Sequence, residues 1–164
     1  MTVPARATTP ALLQIDAILS RLAGRPALQE VCRFLNESFH HYRWVGLYRV
    51  DGSALELEAW EGPAATEHTR IPIERGVCGQ AAREGRSVVV DDVRTRPEYL
   101  ACFLETRAEI VVPIRHGGQV VGEIDIDGNE VKAFDGSDRV FLEQIASKLG
   151  PAVEKAAGEP RPPP

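Results

Sequence analysis

The sequence predicts an α+β domain: a six-stranded antiparallel sheet with the N- and C-terminal helices packed on one face and long ligand loops on the other. Three observations predict it. Apolar residues recur at helical spacing through the first forty residues, and helical spacing returns after Asp135. Between them, alternating runs flank two turn signatures, Asp51-Gly52 and His116-Gly117-Gly118, which pair neighbouring strands antiparallel.

The elements follow in order. Residues 1–10 read as a flexible arm, with Pro10 suited to the first turn of a helix. From Ala11 to Leu22, the residues Leu12, Ile15 and Leu19 form an apolar stripe. Gly24 breaks that helix, and Pro26 opens a second one to about His40, faced by Leu28, Val31, Phe34, Leu35 and Phe39. The period then changes to two. Trp44 to Val50 alternates, turns at Asp51-Gly52, and returns through Leu55 to Glu58. His68 to Ile73 is a short strand, Gly76 to Arg83 a short helix ended by Gly85, and Ser87 to Asp91 an apolar strand. Asp92 to Ala108 is a long connection. Glu109 to Arg115 and Gln119 to Asp127 form the second hairpin. Phe134 to Asp138 opens the closing helix with a capping carboxylate, and Gly150-Pro151 is expected to kink or end it. One domain thus spans residues 11–157, followed by a Pro-rich disordered tail over 158–164.

Composition narrows the function. With 164 residues, 43% hydrophobic and 26% charged, the chain has the makeup of one soluble globular domain. Its net charge of −5 and scattered Lys and Arg disfavour a nucleic-acid partner. No apolar run approaches the ~18–20 residues of a membrane span, and the N-terminus has no secretory h-region. A cytoplasmic location follows, where structural disulfides are rare and cysteine pairs more often react or bind metal. Neither a Cys-x-x-Cys nor a paired-His motif occurs, so no metal site is expected.

Of the three cysteines, Cys32 sits within an apolar helix face and reads as a packing thiol. Cys78 and Cys102 lie in loop-like contexts. If their loops meet, the pair can cycle between dithiol and disulfide. Cys78 falls near a helix start, where the macrodipole is expected to lower a thiol pKa. In Glu123-Ile-Asp-Ile-Asp127, alternation places Glu123, Asp125 and Asp127 on one face, with Asp125 and Asp127 roughly 7 Å apart. Such crowding suits a cationic ligand, or raises one pKa to make a proton donor; a solvated outer strand face is the alternative reading. Glu109 starts the partner strand and can join that face. Trp44 and Tyr48 share a side of the first strand with Gly46 clearing space between them, as pocket walls or as core. His68 and His116 read as exposed, without a hydrolase triad.

Several segments in order carry a resemblance: Trp44-Val-Gly-Leu-Tyr48, Thr69-Arg-Ile-Pro72, Arg75-Gly-Val-Cys-Gly79, Leu100-Ala-Cys102, Glu109-Ile-Val-Val-Pro113 and Gly122-Glu-Ile-Asp-Ile-Asp127. Together they resemble the GAF-domain free methionine-(R)-sulfoxide reductases. The resemblance implies a GAF fold and a cofactor-free, thiol-dependent reduction of free methionine sulfoxide. It implies Cys102 as nucleophile, passing through a sulfenic acid, and Cys78 as resolving thiol with thioredoxin as reductant. Trp44 and Tyr48 would wall the pocket, and Glu109, Asp125 and Asp127 would bind the ammonium and the sulfoxide oxygen. Related domains often dimerise through terminal helices, so a homodimer is possible. Two positions depart from the family pattern: His68 stands near where members often carry a third cysteine, and Phe103 follows Cys102 where an acidic residue is common. These departures keep a second reading open, a non-catalytic GAF module that senses redox state or binds an amino-acid-like ligand.

Overall fold

Two glycine-bearing turns organise the sheet in the computed structural model, which describes residues 3–101 and 103–161. Strand β1 (Trp44–Asp51) passes through Gly52 and Ser53 into β2 (Ala54–Glu61). The short β3 (Arg70–Pro72) and β4 (Val88–Val90) precede β5 (Ala108–His116), which passes through Gly117 and Gly118 into β6 (Gln119–Gly128). Gly117 and Gly118 have φ of 60° and 79°; a type I′ turn requires positive φ at both positions, and its twist matches the flanking strands. The strands form one antiparallel six-stranded sheet in the order β3-β2-β1-β6-β5-β4. The predicted α+β class and both hairpins are observed.

Each face of the sheet carries its own core. Helices α1 (Ala5–Arg21), α2 (Gly24–Ser38) and, after α3 (Gly76–Glu84), the closing α4 (Gly136–Ala157) supply Ile15, Leu28, Val31, Leu35, Phe141, Ile145 and Leu149 to the larger core. They meet Val45, Leu47, Ile110, Val112, Ile124 and Ile126, alternate residues of strands β1, β5 and β6. On the opposite face, Val77, Cys78 and Ala81 of α3 pack with Trp44, Tyr48, Leu55, Val90 and Val111. Here α3 joins the long connection that the sequence leaves on this face. That smaller core holds the residues of chemical interest.

Two boundaries differ from expectation. Helix α1 begins at Ala5, so residues 5–10 are helical rather than a loose arm, and Pro10 lies inside the helix. Val3 is buried in the larger core and anchors the turn before Pro10. Helix α4 likewise continues through Pro151 to Ala157. Leu149, Ala152, Val153 and Ala156 are all buried around the proline, and burial of this face offsets the roughly 3 kcal/mol cost of an interior proline. The helix ends where the predicted domain ends, and residues 162–164 of the tail lie outside the described residues.

The start of α4 is a capping box. Asp135 accepts from the backbone N–H of Ser137 and Asp138, and Asp138 accepts from that of Asp135. Asp138 is fully buried and also bonds His41 Nε2 at 2.7 Å and the Tyr42 hydroxyl at 2.8 Å. One carboxylate therefore ties α4 to the segment entering β1.

Candidate active site

Strand register decides which side chains meet. Across β1 and β6, Trp44 pairs with Asp127, Gly46 with Asp125 and Tyr48 with Glu123. Across β5 and β6, Glu109 pairs with Asp127 and Val111 with Asp125. Directly opposed residues share a face, so Trp44, Tyr48, Glu109, Glu123, Asp125 and Asp127 project toward α3. The alternation read from the sequence holds, but the strand face is not solvated. Glu123 and Asp125 are 0% exposed, Asp127 2% and Glu109 4%.

Four buried carboxyl groups this close carry an electrostatic cost. Seven of their oxygens have no hydrogen-bond partner among the described residues: Glu109 Oε2 and both oxygens of Glu123, Asp125 and Asp127. Burial raises the carboxyls of Glu109, Glu123 and Asp127 well above the ordinary range, and the neighbouring Asp125 charge raises them further. Burial also raises Asp125. The cluster favours its protonated forms or an incoming cation.

Cys78 is the third residue of α3, and its Sγ lies 3.9 Å from Glu109 Oε1. The expectation of a macrodipole-lowered thiol is overturned. Burial pushes the thiol well up, and the charges of Asp125, Glu123 and Glu109 push in the same direction. A helix N-terminus supplies about half a positive charge, too little against desolvation and facing carboxylates. Cys78 is therefore a poor nucleophile while those groups are charged. Cys32 is fully buried among core residues, a packing thiol.

The indole of Trp44 lies flat in a slot made by glycines. A Cβ at Gly46 would sit 2.4 Å from Trp44 Cη2, and one at Gly62 would sit 2.5 Å from its Cδ1. Trp60 stacks on it with centroids 6.4 Å apart, and Phe103 leans against it at 5.8 Å. Above Trp44 and Asp127 opens a cavity of about 520 Å³, also bordered by Phe103, Thr106 and Asn129, within the usual range of small-molecule sites. Cys78, Glu109, Glu123 and Asp125 lie on the same face of the sheet as Trp44.

Cys102 lies outside the described residues, but its chain neighbours are placed. Leu100 packs over Gly76, within 3.3 Å of where a Cβ would be, while Phe103 packs on Trp44. His68 Nε2 reaches the carbonyl of Ala101 at 3.1 Å. Phe103, after Cys102, thus borders the pocket, and Leu100, before it, packs against the same smaller core. His68 is partly buried and bonded rather than freely exposed as expected, whereas His116 is exposed at the hairpin tip. Sequence reasoning left Glu123 out of the binding set, although its strand parity with Asp125 already placed it there. The contact of His68 had no signal in the sequence, because its partner lies thirty-three residues away.

Comparison with known proteins identifies the family. The family model described as GAF domain matches residues 25–154. The free methionine-R-sulfoxide reductase of Saccharomyces cerevisiae is 37% identical over 133 residues, covering 73% of this chain and 73% of that protein. The structure of free methionine-R-sulfoxide reductase from Neisseria meningitidis in complex with its substrate matches with a TM-score of 0.85 at 35% identity, covering 94% of each chain. A putative GAF sensor protein from Burkholderia vietnamiensis matches with a TM-score of 0.83 at 28% identity, covering 93% of this chain and 98% of that one.

Proposed function

Because this chain belongs to the GAF domain family, among its free methionine-R-sulfoxide reductases, we propose that it reduces free methionine-(R)-sulfoxide to methionine with Cys102 as nucleophile. The observation that carries the reading is the shared face of Trp44, Tyr48, Glu109, Asp125 and Asp127, closed over by the neighbours of Cys102. Buried carboxyls without partners suit the substrate ammonium, and the Trp44 slot suits the apolar end of the side chain.

In the proposed sequence, the Cys102 thiolate attacks the sulfoxide sulfur while a protonated carboxyl of the cluster donates to the sulfoxide oxygen. The protonated oxygen then passes from the substrate sulfur to the Cys102 sulfur as the new sulfur–sulfur bond and the old sulfur–oxygen bond break, so two electrons move from the thiolate to the substrate, methionine leaves, and Cys102 is left as a sulfenic acid. Cys78 then gives its proton to the neighbouring Glu109 carboxylate and attacks the sulfenic sulfur; the sulfur–oxygen bond breaks as Glu109 returns that proton to the leaving hydroxyl, giving a disulfide and water. Thioredoxin returns both thiols. The raised Cys78 thiol fits the resolving rather than the attacking role, since a resolving thiol needs activation only after the sulfenic acid has formed.

Purified protein supplied with dithiothreitol and racemic free methionine sulfoxide is expected to consume only the R epimer, and Cys102→Ser is expected to abolish the reaction. A wild-type protein that binds methionine sulfoxide without turning it over would replace the enzyme reading with the sensor reading.

A further inference from the structure

We propose that Cys78, Glu109 and Asp125 form a binding site for a divalent cation of the zinc class. One ligand atom from each of the three lies within 4.8 Å of the other two. The groups come from the start of α3, from β5 and from β6, three rigid elements packed on one another. A tetrahedral zinc shell has Zn–S of ~2.3 Å and Zn–O of ~2.0–2.2 Å, so its ligand atoms stand about 3.4–3.6 Å apart. The Cys78 Sγ to Glu109 Oε1 distance of 3.9 Å is within a few tenths of an ångström of that spacing. Small side-chain rotations bring in Asp125.

A second observation points to a cation. Glu123 is wholly buried in the same cluster, and neither of its oxygens has a partner among the described residues. A dication compensates such a group more fully than one ammonium does. The donor set selects the metal: a thiolate excludes magnesium and calcium, and mixed thiolate and carboxylate ligands suit borderline zinc. On binding, the three ligands release their protons to solvent and no electron moves. The sequence predicts no metal because these ligands share no local motif; only the fold assembles them.

The metal site stands apart from the reductase reading, and direct binding tests it. Reduced, untagged protein is titrated with Co²⁺, following the thiolate-to-cobalt charge-transfer absorption, and then with Zn²⁺ as competitor. One equivalent of Co²⁺ is expected to bind and to be displaced by Zn²⁺. Cys78→Ser is expected to lose the band and Cys102→Ser to keep it. Asp125→Asn and Glu109→Gln, which keep the thiol and nearly the same volume, are expected to weaken Co²⁺ by roughly tenfold or more. No band in wild type, a band that survives Cys78→Ser, or affinity unchanged in both carboxamide variants overturns the site. Methionine sulfoxide is expected to compete with Co²⁺. If both bind together, the shared pocket of the reductase reading fails while the metal site stands.

Discussion

The Nε2 of His68 donates to the carbonyl oxygen of Ala101 at 3.1 Å, while the Tyr48 hydroxyl donates to the carbonyl of His68 at 2.8 Å. A chain of two hydrogen bonds thus runs from β1 to the residue before Cys102. His68→Ala is expected to lower kcat about three- to tenfold, the equivalent of one hydrogen bond, with little change in KM. His68→Gln, which retains a donor, should recover part of the loss. Steady-state kinetics of both variants check this, and an unchanged kcat in His68→Ala would remove the tether from the mechanism.

Gly46→Ala probes the Trp44 slot. Its methyl group would lie 2.4 Å from the indole, so the ring must move. Overpacking of this kind costs about 1–3 kcal/mol. Both a lower unfolding midpoint and a higher KM for methionine sulfoxide are expected, and chemical denaturation with initial-rate assays reads the two effects separately.

The buried carboxyls make stability depend on pH. Burial holds Glu123 above its ordinary value, and Asp125 adds to the shift. A carboxyl raised in the folded state stabilises the fold fully below its unfolded value of ~4.3 and loses that contribution as pH rises through the folded value. Glu123→Gln cannot ionise. Its stability relative to wild type should therefore improve between pH 4 and pH 8, by about 1–3 kcal/mol. Urea denaturation at both pH values measures the difference, and an equal difference at the two would show that Glu123 titrates in the folded protein as it does in the unfolded chain.

Cys78→Ser is expected to release one equivalent of methionine per chain and then fail to cycle with thioredoxin. In wild type, formation of the disulfide should accelerate about tenfold per pH unit above neutrality, because burial and the facing carboxylates hold the thiol protonated there. Quenched-flow mass spectrometry follows both species. Full thioredoxin-driven turnover in the serine variant would exclude Cys78 as the resolving thiol.

On the other face of the sheet, Asp138→Ala removes the α4 capping partner and strands His41 and the Tyr42 hydroxyl in the core. A loss of about 2–4 kcal/mol is expected from the cap and the unpaired polar groups together. The reductase rate of the protein still folded should be preserved, since these groups lie on the opposite side of the sheet from Cys78.

What the amino-acid order determined by itself was local. Asp51-Gly52 and the Gly117-Gly118 pair set the hairpins, and residue parity put Glu123, Asp125 and Asp127 on one face and Ile124 and Ile126 on the other. Helical spacing marked α2 and α4, because period and turn chemistry depend on residues a few positions apart. Burial does not. Only packing from distant segments covered the acidic face with α3, raised the Cys78 thiol against its helix dipole, carried α1 back past Pro10 and α4 on past Pro151, and brought His68 to Ala101. Desolvation depends on what lies above a side chain in space, and a strand that is acidic on one face reads the same in sequence whether water or a helix covers it.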